Sequence, residues 1–247
     1  MLTTNGEVEV ALDTVVTGKP VPPRASVRQR VSAADAERHA LALWPDVETE
    51  PLGEWVLRTD PAPVDRLVKR ANSALALGEP GRPLPEAAQA VRDFYAARDR
   101  TPMVQVEADS DTDRGLAALG WHVVAGSDSH FQTASAATAL RACGRDLAPT
   151  ELTEDGPRAE VRTHDSLARG LAALSDEWLG IHAVELDPHA RRRGLATAVM
   201  ADLIDWGASR GARTVWLHVE TDNAAALALY ERLGFRTHHS LRYRTAG

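Results

Sequence analysis

The chain repeats itself. With Glu107 laid over Glu220, Val104-Gln105-Val106-Glu107-Ala108-Asp109-Ser110 falls on Leu217-His218-Val219-Glu220-Thr221-Asp222-Asn223. Each run leads into a helix-like stretch that closes on Leu-Gly-aromatic, Leu119-Gly120-Trp121 in one case and Leu233-Gly234-Phe235 in the other. Each is also preceded by a helical stretch with an aromatic at a similar offset, Phe94 and Trp206. Chance agreement in one segment is easy. Agreement of helix, strand, helix and Leu-Gly-aromatic in the same order is not, and it divides the 247 residues into two related α/β units, about 1–134 and 135–247.

Periodicity supports that division. Val215, Leu217 and Val219 alternate with Trp216, His218 and Glu220, the two-residue period of a strand. Leu195, Val199, Leu203 and Trp206 recur at three- and four-residue steps and make one buried helical face, with Gly211 just past its end. Asp222 or Asn223 is placed to cap a further helix, on which Leu227, Tyr230 and Leu233 share a face. Residues 178–186 read as a strand stopped by Asp187-Pro188, with strands over 159–163 and 167–174 before it. In the first half, 32–44 and 85–98 read as helices, and 54–58 and 71–77 as extended.

Composition narrows the class of function. Lys and Arg number 28 against 35 Asp and Glu, a net charge of -7, so long-range repulsion argues against nucleic acid as the main partner. The single cysteine, Cys143, excludes an internal disulfide and a thiolate metal cage, and it reads as a small side chain with no activating motif around it. His238-His239 has no further ligand at metal-binding spacing and is expected at the surface; no metal is expected. The chain has no run near the roughly 18 apolar residues of a membrane span, and its start lacks the pattern of a secretory signal. A cytoplasmic protein without a membrane partner is the expectation.

The segment richest in chemistry is a strand, then Asp187-Pro188, then Arg191-Arg192-Arg193-Gly194-Leu195-Ala196-Thr197 at the opening of an amphipathic helix. A glycine turn emptying into a helix N-terminus presents free backbone N–H groups and the positive end of the helix dipole, both suited to a phosphate or pyrophosphate. Three arginines on that turn add attraction for a polyanion. The run Leu186 to Thr197 resembles motif A of the GNAT N-acetyltransferase superfamily, Arg/Gln-x-x-Gly-x-Gly/Ala. Downstream, Asn223-Ala224-Ala225-Ala226-Leu227-Ala228-Leu229-Tyr230-Glu231-Arg232-Leu233-Gly234-Phe235 resembles its motif B, Asn-x-x-Ala-x-x-x-Tyr-x-x-x-Gly-Phe. The two motifs together cover about 181–235, in the family's order and spacing.

That resemblance implies an α/β (α+β) fold of two GNAT-like units, each a mixed, mostly antiparallel sheet flanked by helices, and acetyl-CoA as co-substrate with an amine as acceptor. It implies that the pantetheine arm pairs with Val184, Glu185 and Leu186, in a splay between two neighbouring strands. The pyrophosphate would sit on the turn from Arg191 through Arg192, Arg193, Gly194, Leu195 and Ala196 to Thr197. Asn223 and Ala226 of motif B would border the pantetheine, and Tyr230 would approach the sulfur. A departing thiolate needs a proton, and a phenol with an ordinary pKa of about 10 stays protonated at neutral pH. His218 is the first candidate for the base that takes the amine proton, with His182 and Glu185 as alternatives acting through a water. The plain alternatives are a buried aromatic for Tyr230, a helix cap for Asn223, and ordinary polar residues on a sheet face for the rest.

The first half lacks these features. Leu116 stands where Tyr230 does, Gln105 for His218 and Ser110 for Asn223, and Gly78-Glu79-Pro80-Gly81-Arg82-Pro83 replaces the arginine turn. Prolines remove amides that a pyrophosphate would need. The first unit is expected to have lost its cofactor site and to serve as structure or as a wall of the acceptor pocket. The second unit departs from the family at 134–158, where Gly144, Pro149, Gly156 and Pro157 leave little room for the usual strand and two helices. Three alternatives follow: the first unit supplies that wall, the site is open to a peptide or protein, or catalysis is impaired. The competing functions are a non-catalytic acyl-CoA-binding or scaffold protein and, more weakly, a nucleotide-binding protein, for which the P-loop pattern is missing.

Overall fold

The structure is a computed structural model that describes residues 2–3, 6–7, 30–63 and 68–246. Met1–Arg30 forms a compact unit by itself, in which Leu2–Thr3 (β1) pairs antiparallel with Gly6–Glu7 (β2). The remainder, Val31–Gly247, is one unit.

Strand alternation sorts the residues of this larger unit between two faces of one sheet. The first half contributes β3 (Glu48–Leu52), β4 (Trp55–Thr59), β5 (Ala74–Ala76), β6 (Met103–Glu107), β7 (Trp121–Val123) and β8 (Ser129–Ser135). The second contributes β9 (Thr150–Asp155), β10 (Arg158–Thr163), β11 (Ala168–Ser175), β12 (Trp178–Leu186), β13 (Thr214–Glu220) and β14 (Arg236–Ala246). Together they form a 12-stranded sheet in the order β3-β4-β5-β6-β14-β8-β13-β12-β11-β10-β9, with β7 paired to β14. Only β5/β6 and β12/β13 are parallel. The α/β class and the mostly antiparallel sheet are as expected.

The halves are joined by an exchange of strands. Strand β8 leaves the first half and lies between β13 and β14 of the second. Strand β14 pairs with β8 through Leu241, then runs on between β6 and β7 of the first half, with Tyr243 opposite Gln105 and Arg244 opposite Val123.

One face carries α2 (Leu84–Ala96), α3 (Asp111–Ala118), α4 (Ala136–Cys143), α5 (Leu195–Ser209) and α6 (Ala224–Arg232). Under α2 and α3 the core holds Trp55, Val104, Val106, Leu116 and Trp121. Under α4, α5 and α6 it holds Leu179, Ile181, Val215, Leu217, Val219 and Tyr230. Cys143 is buried there, and burial pushes its thiol up to about 11. The other face carries α1 (Ala33–Arg38), capped by Ser32, and a 3-10 segment, His39–Leu43. Ala36, Ala40 and Leu43 pack there on Phe131, Trp178 and Trp216 of the second half, while Ala33 and Ala34 pack on Leu75 and Leu241. A Cβ on Gly180 would lie 2.5 Å from Trp216 and 3.0 Å from Leu43, so only glycine admits this approach.

Several elements differ from the sequence reading. The helix expected over 32–44 tightens to 3-10 after Arg38, and the extended 71–77 shrinks to β5 behind a 3-10 turn, Lys69–Ala71. Residues 134–158 hold both α4 and β9 despite their glycines and prolines, because Gly144 and Pro149 fall between these elements and Gly156 and Pro157 in the turn from β9 to β10. Among the described residues no helix is long and apolar enough to cross a membrane.

Candidate active site

The sheet opens between its two central parallel strands. Pairing of β12 with β13 runs from Trp178 opposite Thr214 to Ile181 opposite Leu217 and stops. Beyond that, β12 follows β11 alone and β13 follows β8 alone. The cause is a bulge. Between the pairs Leu171–His182 and Arg169–Glu185, Ala183 and Val184 face the single Gly170, and Ala183 stands at φ 48°. An extra residue bends and twists the strand that carries it. Left-handed backbone costs an alanine roughly 1–2 kcal/mol. The two strands part past Ile181, and β12 runs on beside the gap to Leu186.

The turn at the head of α5 completes this opening. Asp187 caps the 3-10 turn Pro188–Ala190 through His189 N at 2.8 Å. Arg192 (φ 62°) and Gly194 (φ 77°) then take left-handed conformations. A side chain at Gly194 would meet open space, so conformation alone selects glycine there. Among the described residues no side chain caps α5, and the amides of Leu195, Ala196 and Thr197 have no intrahelical partners. Arg191, Arg192 and Arg193 are exposed; Arg193 meets Asp165 at 3.2 Å. The corresponding turn of the first half is closed, because Glu79 N donates to the Glu54 carboxylate at 2.6 Å and Pro80 lies against Gly53.

Alternation on β13 sends the motif residues to different faces. Tyr230 is buried in the cluster that includes Leu195, Leu217 and Val219 on the α5 side, and burial pushes its phenol up to about 12. Its hydroxyl makes no hydrogen bond among the described residues. Asn223 caps α6, its Oδ1 accepting from Ala226 N at 3.1 Å, and its amide NH2 stays uncommitted by that bond. Val184 and Leu186 pack at the edge of the same cluster, while Glu185 is exposed and paired with Arg169 at 2.8 Å. His218 and His182 face the other way, toward α1. His182 lies 5.5 Å from Trp44, and burial first, with Arg70 second, pushes it down to about 4.

His218 has a partner that sequence reasoning missed. Its Nε2 lies 2.7 Å from Oε1 of Glu37 on α1, with both side chains at 3% exposure or less. His239 Nε2 reaches the same oxygen at 3.3 Å, His238 Nδ1 lies 2.8 Å from His239 Nδ1, and His238 Nε2 lies 2.9 Å from the Val31 carbonyl. The histidine pair expected at the surface is therefore inside, His239 fully and His238 partly. A second bulge, between Thr237 and His239, resets the alternation of β14, and α1 covers what it turns inward.

Burial alone would raise Glu37, but His218 and His239 outweigh it and hold its carboxyl below the usual carboxylate range. Burial is the main cause pushing His218 down to about 4, only partly offset by Glu37. An ionised Glu37 facing a neutral His218 assigns the Nε2 proton to that hydrogen bond and leaves Nδ1 with its lone pair. A weak signal for Glu37 was present: it lies on the helical stripe of Ala33, Ala36 and Ala40, where a charge has no solvent. Nothing in the sequence marks the bulge at Ala183. Among the described residues no group of histidines, cysteines or carboxylates is arranged for a metal.

Residues 160–244 match the family model described as probable histone acetyltransferase Rv0428c C-terminal. A ribosomal protein bS18-alanine N-acetyltransferase of Escherichia coli strain K12 is 50% identical over 52 residues, 21% of this chain and 35% of that protein. The chain thus spans about a third of the length of that relative. Among solved structures, a GCN5-related N-acetyltransferase from Kribbella flavida superposes with a TM-score of 0.62 at 19% identity, over 87% of this chain and 95% of that one. A tandem GNAT protein from the clavulanic acid biosynthesis pathway gives 0.53 at 17% identity, over 78% of each chain. At such identities these structures establish the fold.

Proposed function

We propose that this chain, a member of the GNAT superfamily by its fold and its two motifs, transfers an acetyl group from acetyl-CoA to a primary amine. One observation carries the reading: the bulge at Ala183 opens two parallel strands directly before an uncapped, arginine-flanked helix N-terminus. The gap between β12 and β13 suits an amide-bearing arm, and the amides of Leu195 to Thr197 with Arg191, Arg192 and Arg193 suit a pyrophosphate. Acetyl-CoA supplies the activated acetyl group when bound.

The chain's own residues divide the proton work between the two faces of the sheet. On the α1 side, His218 accepts the amine proton at Nδ1 while Glu37 holds its Nε2–H and stabilises the imidazolium that forms. On the α5 side, Tyr230 gives its phenolic proton to the departing sulfur; a phenol raised to about 12 is fully protonated at neutral pH. His182 and Glu185 remain the alternative bases. The first half, its turn closed and Leu116 buried in the place of Tyr230, acts as the support of the acceptor side through α1.

The test has two readouts. Acetyl-CoA raises the melting temperature, and mass spectrometry of pooled amines and peptides incubated with acetyl-CoA finds acetylated products. Stabilisation without any product is the outcome that favours a non-catalytic acyl-CoA-binding protein. Stabilisation by ATP that acetyl-CoA cannot compete away would point to nucleotide binding.

A further inference from the structure

The α1 face of the first half carries buried polar groups left without partners. Gln105 of β6 and Tyr243 of β14 stand opposite one another in the sheet, at 0% and 3% exposure. Arg58 of β4, also buried, reaches the same row: its Nη2 donates to Gln105 Oε1 at 2.8 Å and to Ser73 Oγ at 3.0 Å, and its Nε to the Ser73 carbonyl at 2.9 Å. The turn Lys69–Ala71 brings Lys69 Nζ to 5.7 Å from the Tyr243 ring, with Arg70 next to it. Yet Tyr243 Oη, Gln105 Nε2, Arg70 Nε and Glu37 Oε2 are all buried without a hydrogen-bond partner among the described residues. Native interiors leave few such atoms, and four gathered around one sheet row mark a place that something else completes.

The character of the missing group follows from the inventory. Three of the four orphans are donors. Arg58 and Arg70 are cations, and among the described residues neither makes an ion pair with a carboxylate. Glu37, the buried carboxylate on this face, already gives Oε1 to His218 and His239. Among the described residues, two guanidiniums against one carboxylate leave an excess of positive charge, which the burial of Arg58 makes costly until an anion balances it. Arg70 is half-exposed, and its charge acts on His182 and His218 as well as on Tyr243.

We propose that Arg58, Arg70, Gln105 and Tyr243 form a subsite for an anionic oxygen group, a carboxylate or a phosphate, on the molecule whose amine is presented to His218. The acceptor is then an amine that is also an acid. This inference rests on the acetyl-transfer reading and narrows it to a substrate class. Guanidinium and phenol donors recognise either oxyacid, so two ligand series separate them.

The experiment compares ω-amino carboxylates and ω-aminoalkyl phosphates of graded length with n-alkylamines of matched length, acetyl-CoA being the donor. One acid series at its best length exceeds the matched alkylamine in kcat/KM by roughly 10- to 100-fold, the factor associated with hydrogen bonds to a charged group. Tyr243→Phe and Arg70→Gln each lower that ratio toward one. Tyr243→Phe removes an oxygen that has no partner, so a folding defect does not mask the result. In parallel, acetate and inorganic phosphate are titrated against the melting temperature of wild type and Tyr243→Phe. Equal kcat/KM for acids and alkylamines overturns the subsite and leaves acetyl transfer standing. If no amine of any kind is acetylated, the acetyl-transfer reading falls, and the melting series decides the subsite. Stabilisation by an anion that Tyr243→Phe abolishes supports it; no stabilisation, or equal stabilisation of both proteins, overturns it.

Discussion

Glu37 and His218 are 181 positions apart in the chain and 2.7 Å apart in the structure. The hydrogen bond ties a helix of the first half to the strand beside the opening in the second. Replacing Glu37 with Gln removes the charge that stabilises a protonated His218 and keeps the shape. Acetyl transfer is expected to fall about 10- to 100-fold in kcat/KM, with the acid limb of its pH profile shifted toward lower pH. Glu37→Ala leaves two buried imidazoles short of an acceptor and is expected to cost about 1–3 kcal/mol in addition. Steady-state kinetics across pH with denaturant melts checks both, and an unchanged pH profile in Glu37→Gln would remove Glu37 from the proton path.

Acid should loosen the protein before its carboxylates titrate. His218 is pushed by burial from 6.5 down to about 4. Between those values the unfolded chain holds a proton that the folded chain refuses, so stability drops as pH falls from 6.5 toward 4. At about 1.4 kcal/mol per unit, His218 contributes on the order of 3 kcal/mol across that window. His182, also pushed down to about 4, acts in the same direction. Glu37, held below the carboxylate range, adds a contribution present above its unfolded value near 4.5 and lost below it. Calorimetry from pH 8 to pH 4 should show a flat melting temperature above 7 and a steep fall below 6.5, with a shallower fall in His218→Gln.

Tyr230→Phe separates binding from chemistry. The phenyl ring keeps its place against Phe235, 5.6 Å away, so acetyl-CoA still raises the melting temperature. Loss of the proton donor is expected to lower kcat by roughly 100-fold or more. A thiol-release assay that finds kcat unaltered would assign the proton to another group.

The turn before α5 depends on a conformation that only glycine adopts cheaply. Gly194→Ala is expected to cost about 1–2 kcal/mol, although the added methyl meets nothing. It should also weaken acetyl-CoA, because the amides of Leu195 to Thr197 shift with the turn. Thermal melts with and without acetyl-CoA read the two effects separately.

The sequence made the local parts of this structure legible and concealed the distant ones. The alternation of Val215, Leu217 and Val219 and the helical stripe from Leu195 to Trp206 are periodic signals, and both elements form where they were expected. His239 was misread because its direction depends on a single extra residue in β14, and an alternation pattern cannot register a bulge it does not contain. Glu37 was visible only as a charge on an apolar stripe. Its meaning comes from β8, β13 and β14 lying side by side beneath α1, an arrangement set by pairing between halves. The opening rests on Ala183, a residue with no local preference for the backbone it adopts.

The exchange of β8 and β14 has a consequence for synthesis. Strand β6 and strand β7 are separated by the last stretch of β14, so the first half's sheet has a vacant lane until Leu241 to Ala246 have been made. A nascent chain that has already released Trp55, Val104 and Trp121 for burial still presents two unfilled strand edges. The first half's sheet is therefore complete only once the last strand is in place. The earlier half waits for the later half, and a ribosome stalled between residues 135 and 240 holds a chain that can recruit a neighbour's strand in place of its own.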